Sequence, residues 1–343
     1  MIHLAQIGVG YWGKNLLRNF IVAREAQMVA VCDRLASELG KIAALYPHFK
    51  LYERPDAILA DPHIDAIAIA TLPESHFELA RMALSVGKHV FVEKPLARTS
   101  AECRELIALA ARQKRLLMVG HTFLYNAAVH KVREYVQSGE LGEIYYLYSQ
   151  RLNLGRVRQD VDAMWNFAPH DLSIILYWLQ QMPLRVAARG SAYLQKNISD
   201  VVFVQLEFYG GMTANVHVSW LDPNKVRRMT IVGSEKMVVY DDVASDHKVK
   251  VYDKGIPRQN LSASLGEFDS FDKFQLIQRA GDVLLPKVDF VEPLKVQCQH
   301  FVDCILSNKR PLSDGENGLQ VVRILEAAQK SMQNGGMAVA VGT

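Results

Sequence analysis

The sequence predicts an α/β chain in two parts: a doubly wound parallel sheet covered by helices over residues 1–120, then an α+β domain on an open, mainly antiparallel sheet over 121–343. Three observations predict it. Short runs that are apolar on both faces alternate with helical stretches through the first third. A G-x-G-x-x-G turn joins the first run to the first helix. From Ile144 onward the rhythm changes to strands of alternating character joined by short turns.

The apolar runs are HLAQIG (3–8), MVAVC (28–32), AIAIA (66–70), HVFVE (89–93) and LLMVG (116–120). Strands of a parallel sheet buried between two helix layers read this way. The segments between them, 12–24, 37–45, 75–86 and 100–113, read as helices. Two open on capping-box signatures, Ser75 with Glu78 and Thr99 with Glu102, in which each side chain satisfies a free backbone N–H.

In GVGYWG, Gly8 allows the tight turn, Gly10 lets the backbone approach a pyrophosphate, and Gly13 lets helix and strand pack closely. Tyr11 and Trp12 lie in the same loop, and the helix that starts there points its free N–H groups at the phosphates. Asp33, at the end of the second strand, stands where a carboxylate accepts hydrogen bonds from an adenosine ribose and repels a 2′-phosphate. NAD is therefore expected over NADP. Arg34 is the counter-indication, since it could pair with a 2′-phosphate, lie against the adenine or be solvated.

Ligands in open α/β sheets lie beyond the carboxyl ends of the strands, so Thr71, Leu72, Pro73 and His76 after the third apolar run, and Glu93 and Lys94 after the fourth, are expected to face the cofactor. Lys94, between an apolar strand and Pro95, is expected to be poorly solvated with a lowered pKa, against the alternative of a Lys that snorkels to solvent.

In the second part, IYYLYSQRL, RVAARGSAYL, VVFVQLEF, MTANVHVSW, VRRMTIVG and MVVYDD read as strands, with Tyr209-Gly210-Gly211 as a hairpin turn. One face of their sheet is expected to carry helices, among them LSIILYWLQQ (172–181). Residues 269–288 have weak periodicity and read as a loop over a site; two helices, about 292–308 and 315–334, close the chain. Pro169 reads as the first position of the helix that runs on through LSIILYWLQQ, which would put His170 and Asp171 in its first turn, where the helix dipole keeps an imidazole neutral and stabilises a carboxylate.

Composition excludes several function classes. Half the residues are apolar, 22% are charged and the net charge is +3, with no block of like charges of the kind that binds nucleic acid or a membrane surface. No run of about 18 apolar residues could span a bilayer, and a signal peptide is not evident at MIHLAQIGVG, so a cytoplasmic protein is expected. Cys32, Cys103, Cys298 and Cys304 form no CxxC pair and read as buried free thiols. No metal is expected, because His121, His130, His170 and His217 lack ligand spacing with carboxylates or cysteines.

Glu93-Lys94-Pro95 after the fifth strand of a dinucleotide fold, followed by GHTFLYNAA (120–128), SGELGEIYY (138–146), a D-x-x-x-H-like cluster and ENGLQVVRILEAAQKS (316–331), resembles the glucose-fructose oxidoreductase, inositol dehydrogenase and MocA (Gfo/Idh/MocA) family over nearly the whole chain. The resemblance implies a Rossmann domain, an α/β domain that self-associates through its open sheet as a homodimer or homotetramer, and hydride transfer between a sugar or cyclitol hydroxyl and a nicotinamide. Lys94 and His170 would flank the reacting carbon, His170 as base on the hydroxyl and Lys94 as donor to the oxyanion. Where the family often has Asp four residues before this His, the chain has Asn166, which cannot take up a proton.

The stretch RLNLGRVRQDVDAMWN (151–166) is assigned to substrate: Arg151, Asn153, Arg156, Arg158, Trp165 and Asn166, with Lys225, Arg227 and Arg228 adding charge from a later strand. So many cations suggest a phosphorylated or nucleotide-linked substrate, although each taken singly reads equally as a solvated surface residue. Within the family, the run from RLNLGRVR through WNFAPHD resembles members that oxidise C3 of UDP-N-acetylglucosamine ahead of an aminotransferase, for lipid A or surface polysaccharide. An inositol or free-sugar dehydrogenase is the alternative, and a cofactor-binding sensor or partner subunit is the reading of another class.

Overall fold

The computed structural model describes residues 1–155, 157–254 and 281–342. The chain divides into two compact units, one of Met1–Tyr125 with Val291–Glu326, the other of Asn126–Phe290 with Ala327–Thr343. The closing helices, expected in the second domain with their packing directed back toward the first, divide between the units, Val291–Glu326 with the first and Ala327–Thr343 with the second.

In the first unit, β1 (Ile2–Ile7), β2 (Ala26–Cys32), β3 (Lys50–Tyr52), β4 (Ala66–Ile69), β5 (His89–Val92) and β6 (Leu117–Val119) form a six-stranded sheet in the order β3-β2-β1-β4-β5-β6. Every pairing is parallel. The order reverses between β1 and β4, which opens the crevice where doubly wound sheets take their ligands. Helices α1 (Gly13–Ile21), α2 (Ala36–Leu45), α3 (Asp56–Ala60), α4 (His76–Ser85) and α5 (Ser100–Gln113) connect the strands, and α8 (Pro293–Ser307) joins them from late in the chain. Phe20 of α1, Phe91 of β5 and Phe301 of α8 meet edge to face at centroid separations of 5.6, 6.0 and 5.8 Å, which seats α8 in this core.

The five apolar runs match β1, β2, β4, β5 and β6 within two residues at either end. β3 and α3 had no signal in the sequence: a three-residue edge strand and a five-residue helix are too short to show a period. Of the two expected capping boxes, only that of α5 forms, with Thr99 accepting from the Glu102 N–H and Glu102 from the Thr99 N–H. Ser75 instead closes a 3-10 turn, Pro73–Ser75, and its hydroxyl lies 2.7 Å from Thr71 Oγ1 and 2.9 Å from the Leu72 carbonyl oxygen.

In the second unit, α6 (Ala127–Gln137) and α7 (Ala163–Leu179) pack on a nine-stranded sheet formed by β7 (Ile144–Leu152), β8 (Arg185–Ser191), β9 (Val201–Glu207), β10 (Thr213–Ser219), β11 (Val226–Gly233), β12 (Met237–Asp241), β13 (Val249–Tyr252), β14 (Val283–Leu284) and β15 (Val339–Ala340). The order is β14-β13-β12-β11-β7-β10-β9-β8-β15, antiparallel except for the parallel pair β7 and β10. The hairpin at Tyr209–Gly211 forms, with Gly210 and Gly211 at φ 80° and 85°. Trp178 of α7 lies edge-on to Tyr240 of β12 and donates its indole N–H to the Val129 carbonyl of α6, which locks the helix pair to the sheet. The loop expected at 269–288 lies outside the described residues up to position 280. Helix α9 (Gly315–Gln333) carries the chain from the first unit into the second.

All four cysteines are buried and unpaired, and no helix among the described residues is long and apolar enough to cross a membrane. Thr99→Ala should lower the unfolding free energy by about 1 kcal/mol in urea titration. Glu102→Gln, which keeps an acceptor for the Thr99 N–H, should cost less than about half of that.

Candidate active site

The glycine loop is built as close backbone packing requires. Gly8 sits at φ 94°, and a Cβ there would stand 2.6 Å from the Ala70 carbonyl oxygen; a Cβ on Gly13 would run into the Gly8 carbonyl. Nothing lies within 4 Å of the corresponding position on Gly10, so that side of the loop is open. Gln6, fully buried at the end of β1, donates from its amide to the carbonyls of both Gly8 and Gly13 at 2.8 Å. Sequence reasoning passed over Gln6, although a lone amide in an otherwise apolar strand is a signal in itself.

The Asp33 carboxylate accepts the Val9 N–H at 2.8 Å through one oxygen and the Leu35 N–H at 3.0 Å through the other. Each oxygen keeps a lone pair for a ribose hydroxyl, and the rotamer is fixed before any ligand arrives. Arg34 is exposed beside it. Tyr11 is exposed, while Trp12 is half-exposed and its indole N–H is held by Glu93 Oε1 at 2.7 Å.

At the ends of β4 and β5 the expected residues separate into two kinds. Thr71, Leu72 and Lys94 keep surface, Lys94 being half-buried and joined to Pro95 by a cis peptide bond. His76 does not: it is fully buried, with Nδ1 2.7 Å from the Pro95 carbonyl oxygen and Nε2 3.2 Å from that of Thr71. Burial takes His76 off the cofactor surface and makes it the brace between the two strand-end loops. Pro73 is buried as well. Glu93 is buried against Gly120, and desolvation pushes its carboxyl up to about 7, against the opposing pull of Trp12 and Lys94.

In the second unit, α7 begins at Ala163, six residues before the expected start at Pro169. Asp162 caps it by accepting the Trp165 N–H at 2.8 Å, and Pro169 sits inside the helix. His170 is thus the eighth residue of α7 and not in its first turn, where the dipole acts, so the expectation that the helix start keeps it neutral does not hold. Proline lacks only one helical hydrogen bond, and the apolar face of Ala163, Met164, Ala168, Leu172 and Ile175 is buried enough to carry the helix through it. Asn166 and His170, four apart, share one face and are both partly exposed.

Arg151 and Asp171 form a two-pronged ion pair, Nε to Oδ2 and Nη2 to Oδ1 both at 2.9 Å, with side chains only 4% and 2% exposed. Asp171 is therefore held by a guanidinium and not by the helix end, and Arg151 is spent on it rather than offered to a ligand. Three other assigned arginines also meet carboxylates, with more of their side chains exposed: Arg158 pairs with Asp160, Arg227 with Asp242 and Arg228 with Asp241. Lys225 is exposed and Asn153 half-buried, Trp165 donates to Gln329 at 2.9 Å, and Arg156 lies outside the described residues.

A model of the oxidoreductase family with an NAD-binding Rossmann fold matches residues 2–121, and the Gfo/Idh/MocA C-terminal domain model matches 129–239. The chain belongs to the Gfo/Idh/MocA oxidoreductase family. It is similar to the UDP-N-acetylglucosamine 3-dehydrogenase of Acidithiobacillus ferrooxidans, 28% identical over 74% of this chain and 79% of the relative. It is also similar to the myo-inositol 2-dehydrogenase of Thermotoga maritima, 22% identical over 97% and 96%. Among solved structures, an oxidoreductase from Agrobacterium radiobacter in complex with NAD+, L-tartaric acid and magnesium shares the fold, with a TM-score of 0.80, 20% identity and coverage of 99% and 98%.

As a Gfo/Idh/MocA oxidoreductase the chain is NAD-binding, and its residues fit that cofactor: an open Gly10, a helix N-terminus behind the loop, and a carboxylate aimed from the end of β2. Arg151→Met should cost about 3–5 kcal/mol in urea unfolding because it strands a buried carboxylate, whereas Arg151→Met with Asp171→Leu should recover most of that loss.

Proposed function

We propose that the chain oxidises the C3 hydroxyl of UDP-N-acetylglucosamine with NAD+, giving the 3-keto sugar that an aminotransferase converts for lipid A or surface polysaccharide. The observation that carries this reading is the 28% identity to a UDP-N-acetylglucosamine 3-dehydrogenase across three quarters of the chain, over the segment that holds Lys94, Asn166 and His170. Bound NAD+ supplies the hydride acceptor. His170 accepts the hydroxyl proton, and Lys94 donates a hydrogen bond to the oxygen as charge develops on it. Asn166, on the face of α7 that presents His170, orients substrate or ring but takes no proton.

A free cyclitol substrate is the second reading. It is favoured by the inositol dehydrogenase relative that spans 97% of the chain and by the arginines already committed to carboxylates, which leave fewer cations for a pyrophosphate.

The protein incubated with NAD+ and a panel of UDP-sugars, inositols and free sugars should raise NADH absorbance with UDP-N-acetylglucosamine when an aminotransferase removes the keto product. Turnover of an inositol with no response to any UDP-sugar would sink the nucleotide-sugar reading. Lys94→Met and His170→Ala should each lower kcat by about 10²- to 10⁴-fold while NAD+ binding persists; a sensor without turnover would show no such loss.

We further propose self-association through the sheet face opposite α6 and α7. That face carries stacked pairs Tyr146 with Tyr148 and Phe203 with His217, and Phe203 is 55% exposed. Phe203→Glu should shift sedimentation toward the monomer with NAD+ affinity unchanged.

A further inference from the structure

The Trp12–Glu93 hydrogen bond is a long-range tie within the first unit. Trp12 stands at the entry to α1 and Glu93 directly after β5, and in the sheet β4 lies between β1 and β5. The bond therefore crosses the carboxyl end of β4, at the side of the crevice where the strand order reverses.

Its acceptor end is seated with care. Glu93 is 7% exposed, and a Cβ on Gly120 would stand 2.8 Å from Oε2, so only a glycine beyond β6 leaves room for the carboxyl. The Lys94 backbone N–H is 3.3 Å from the same oxygen, so Glu93 holds the peptide that carries Lys94 as well as the indole. Its other titratable neighbours are the Lys94 ammonium and the Cys298 thiol of α8, the thiol buried and pushed well up by desolvation. A buried carboxylate is costly unless hydrogen bonds offset its desolvation, and the groups that donate to this one are the Trp12 indole beside the glycine loop and the Lys94 peptide.

We propose that Glu93 and Trp12 are a positioning pair that sets the glycine loop against the Lys94 peptide, so that dinucleotide affinity and Lys94 alignment are coupled. The affinity part stands on the glycine loop alone; the alignment part rests on the reading of Lys94 given above. Because the ionised carboxylate is the stronger acceptor, the tie weakens as Glu93 takes up a proton near pH 7.

The test uses Trp12→Phe, which keeps the ring and loses the donor, Glu93→Gln, which keeps the shape and loses the charge, and the double variant. NAD+ affinity is measured by calorimetry without substrate, from pH 5.5 to 8.5, with near-ultraviolet circular dichroism to establish folding. Each single variant should weaken binding about tenfold at pH 8, and the double variant should be no weaker than the weaker single. The wild type should lose affinity as pH falls through about 7, with a matching change in the part of the indole fluorescence that Trp12→Phe removes; Glu93→Gln should show neither. Fully additive losses, unchanged affinity in folded variants, or a pH dependence that survives Glu93→Gln would overturn the pair. None of these readouts requires turnover, so failure of the nucleotide-sugar reading leaves a distinct result. Where turnover is measured, coupling predicts that the singles lower kcat as well as affinity.

Discussion

The first unit depends on one buried amide. Gln6 spends both N–H groups on the carbonyls of Gly8 and Gly13, and so pins the start of the glycine loop to the start of α1. The rest follows from that closure. With Gly8 at positive φ against the Ala70 carbonyl and Gly13 against Gly8, the loop is left open at Gly10, in front of the start of α1. The closure is not free of cost: Gln6 Oε1 is buried with no partner among the described residues, a penalty of about 1–3 kcal/mol for an unsatisfied acceptor. A strand that accepts such a cost at its last residue but one is keeping a shape that packing alone would not select.

The same logic runs along the carboxyl ends of the other strands. His76 braces the loops after β4 and β5 from beneath, Asp33 is clamped by two backbone N–H groups after β2, and Glu93 is packed against Gly120 after β5. Each is a polar side chain that ties its own strand-end loop to a neighbouring one, His76 to Pro95, Asp33 to Val9 and Glu93 to the Trp12 indole. Loops held in this way need not order themselves when a ligand binds, which is how a site on loops acquires the rigidity of the sheet beneath it.

How far the sequence could be read follows from the kind of signal each feature leaves. The parallel strands, the glycine loop and α5 are marked by local patterns, and local patterns suffice for them. The start of α7 differs from the expected one because Pro169 is a strong local mark, while the burial that carries the helix through it is a tertiary fact. Ser75 has the spacing of a capping box, yet Thr71 and Leu72 offer its hydroxyl nearer partners, and nothing in the string S-x-x-E distinguishes the two outcomes. At the site, residue types were legible and their commitments were not. His76 and Arg151 have the chemistry to meet a ligand, but the carbonyls and the carboxylate that take them up are brought to them by the turns and packing of the fold, which no local pattern marks.

Those commitments bear on substrate chemistry. Arginine density near a site is an argument for phosphate only while the guanidinium groups are free to turn toward it. In this chain a carboxylate stands against Arg151, Arg158, Arg227 and Arg228, so the positive field that the sequence suggests is largely cancelled within the second unit. On the proposed mechanism Asn166 moves in the same direction: with no carboxylate one turn before His170 to hold an imidazolium, the proton that His170 takes would pass on to solvent. Recognition of a sugar nucleotide at such a site would fall to neutral donors and acceptors and to aromatic faces such as Trp165, whose ring is anchored through Gln329.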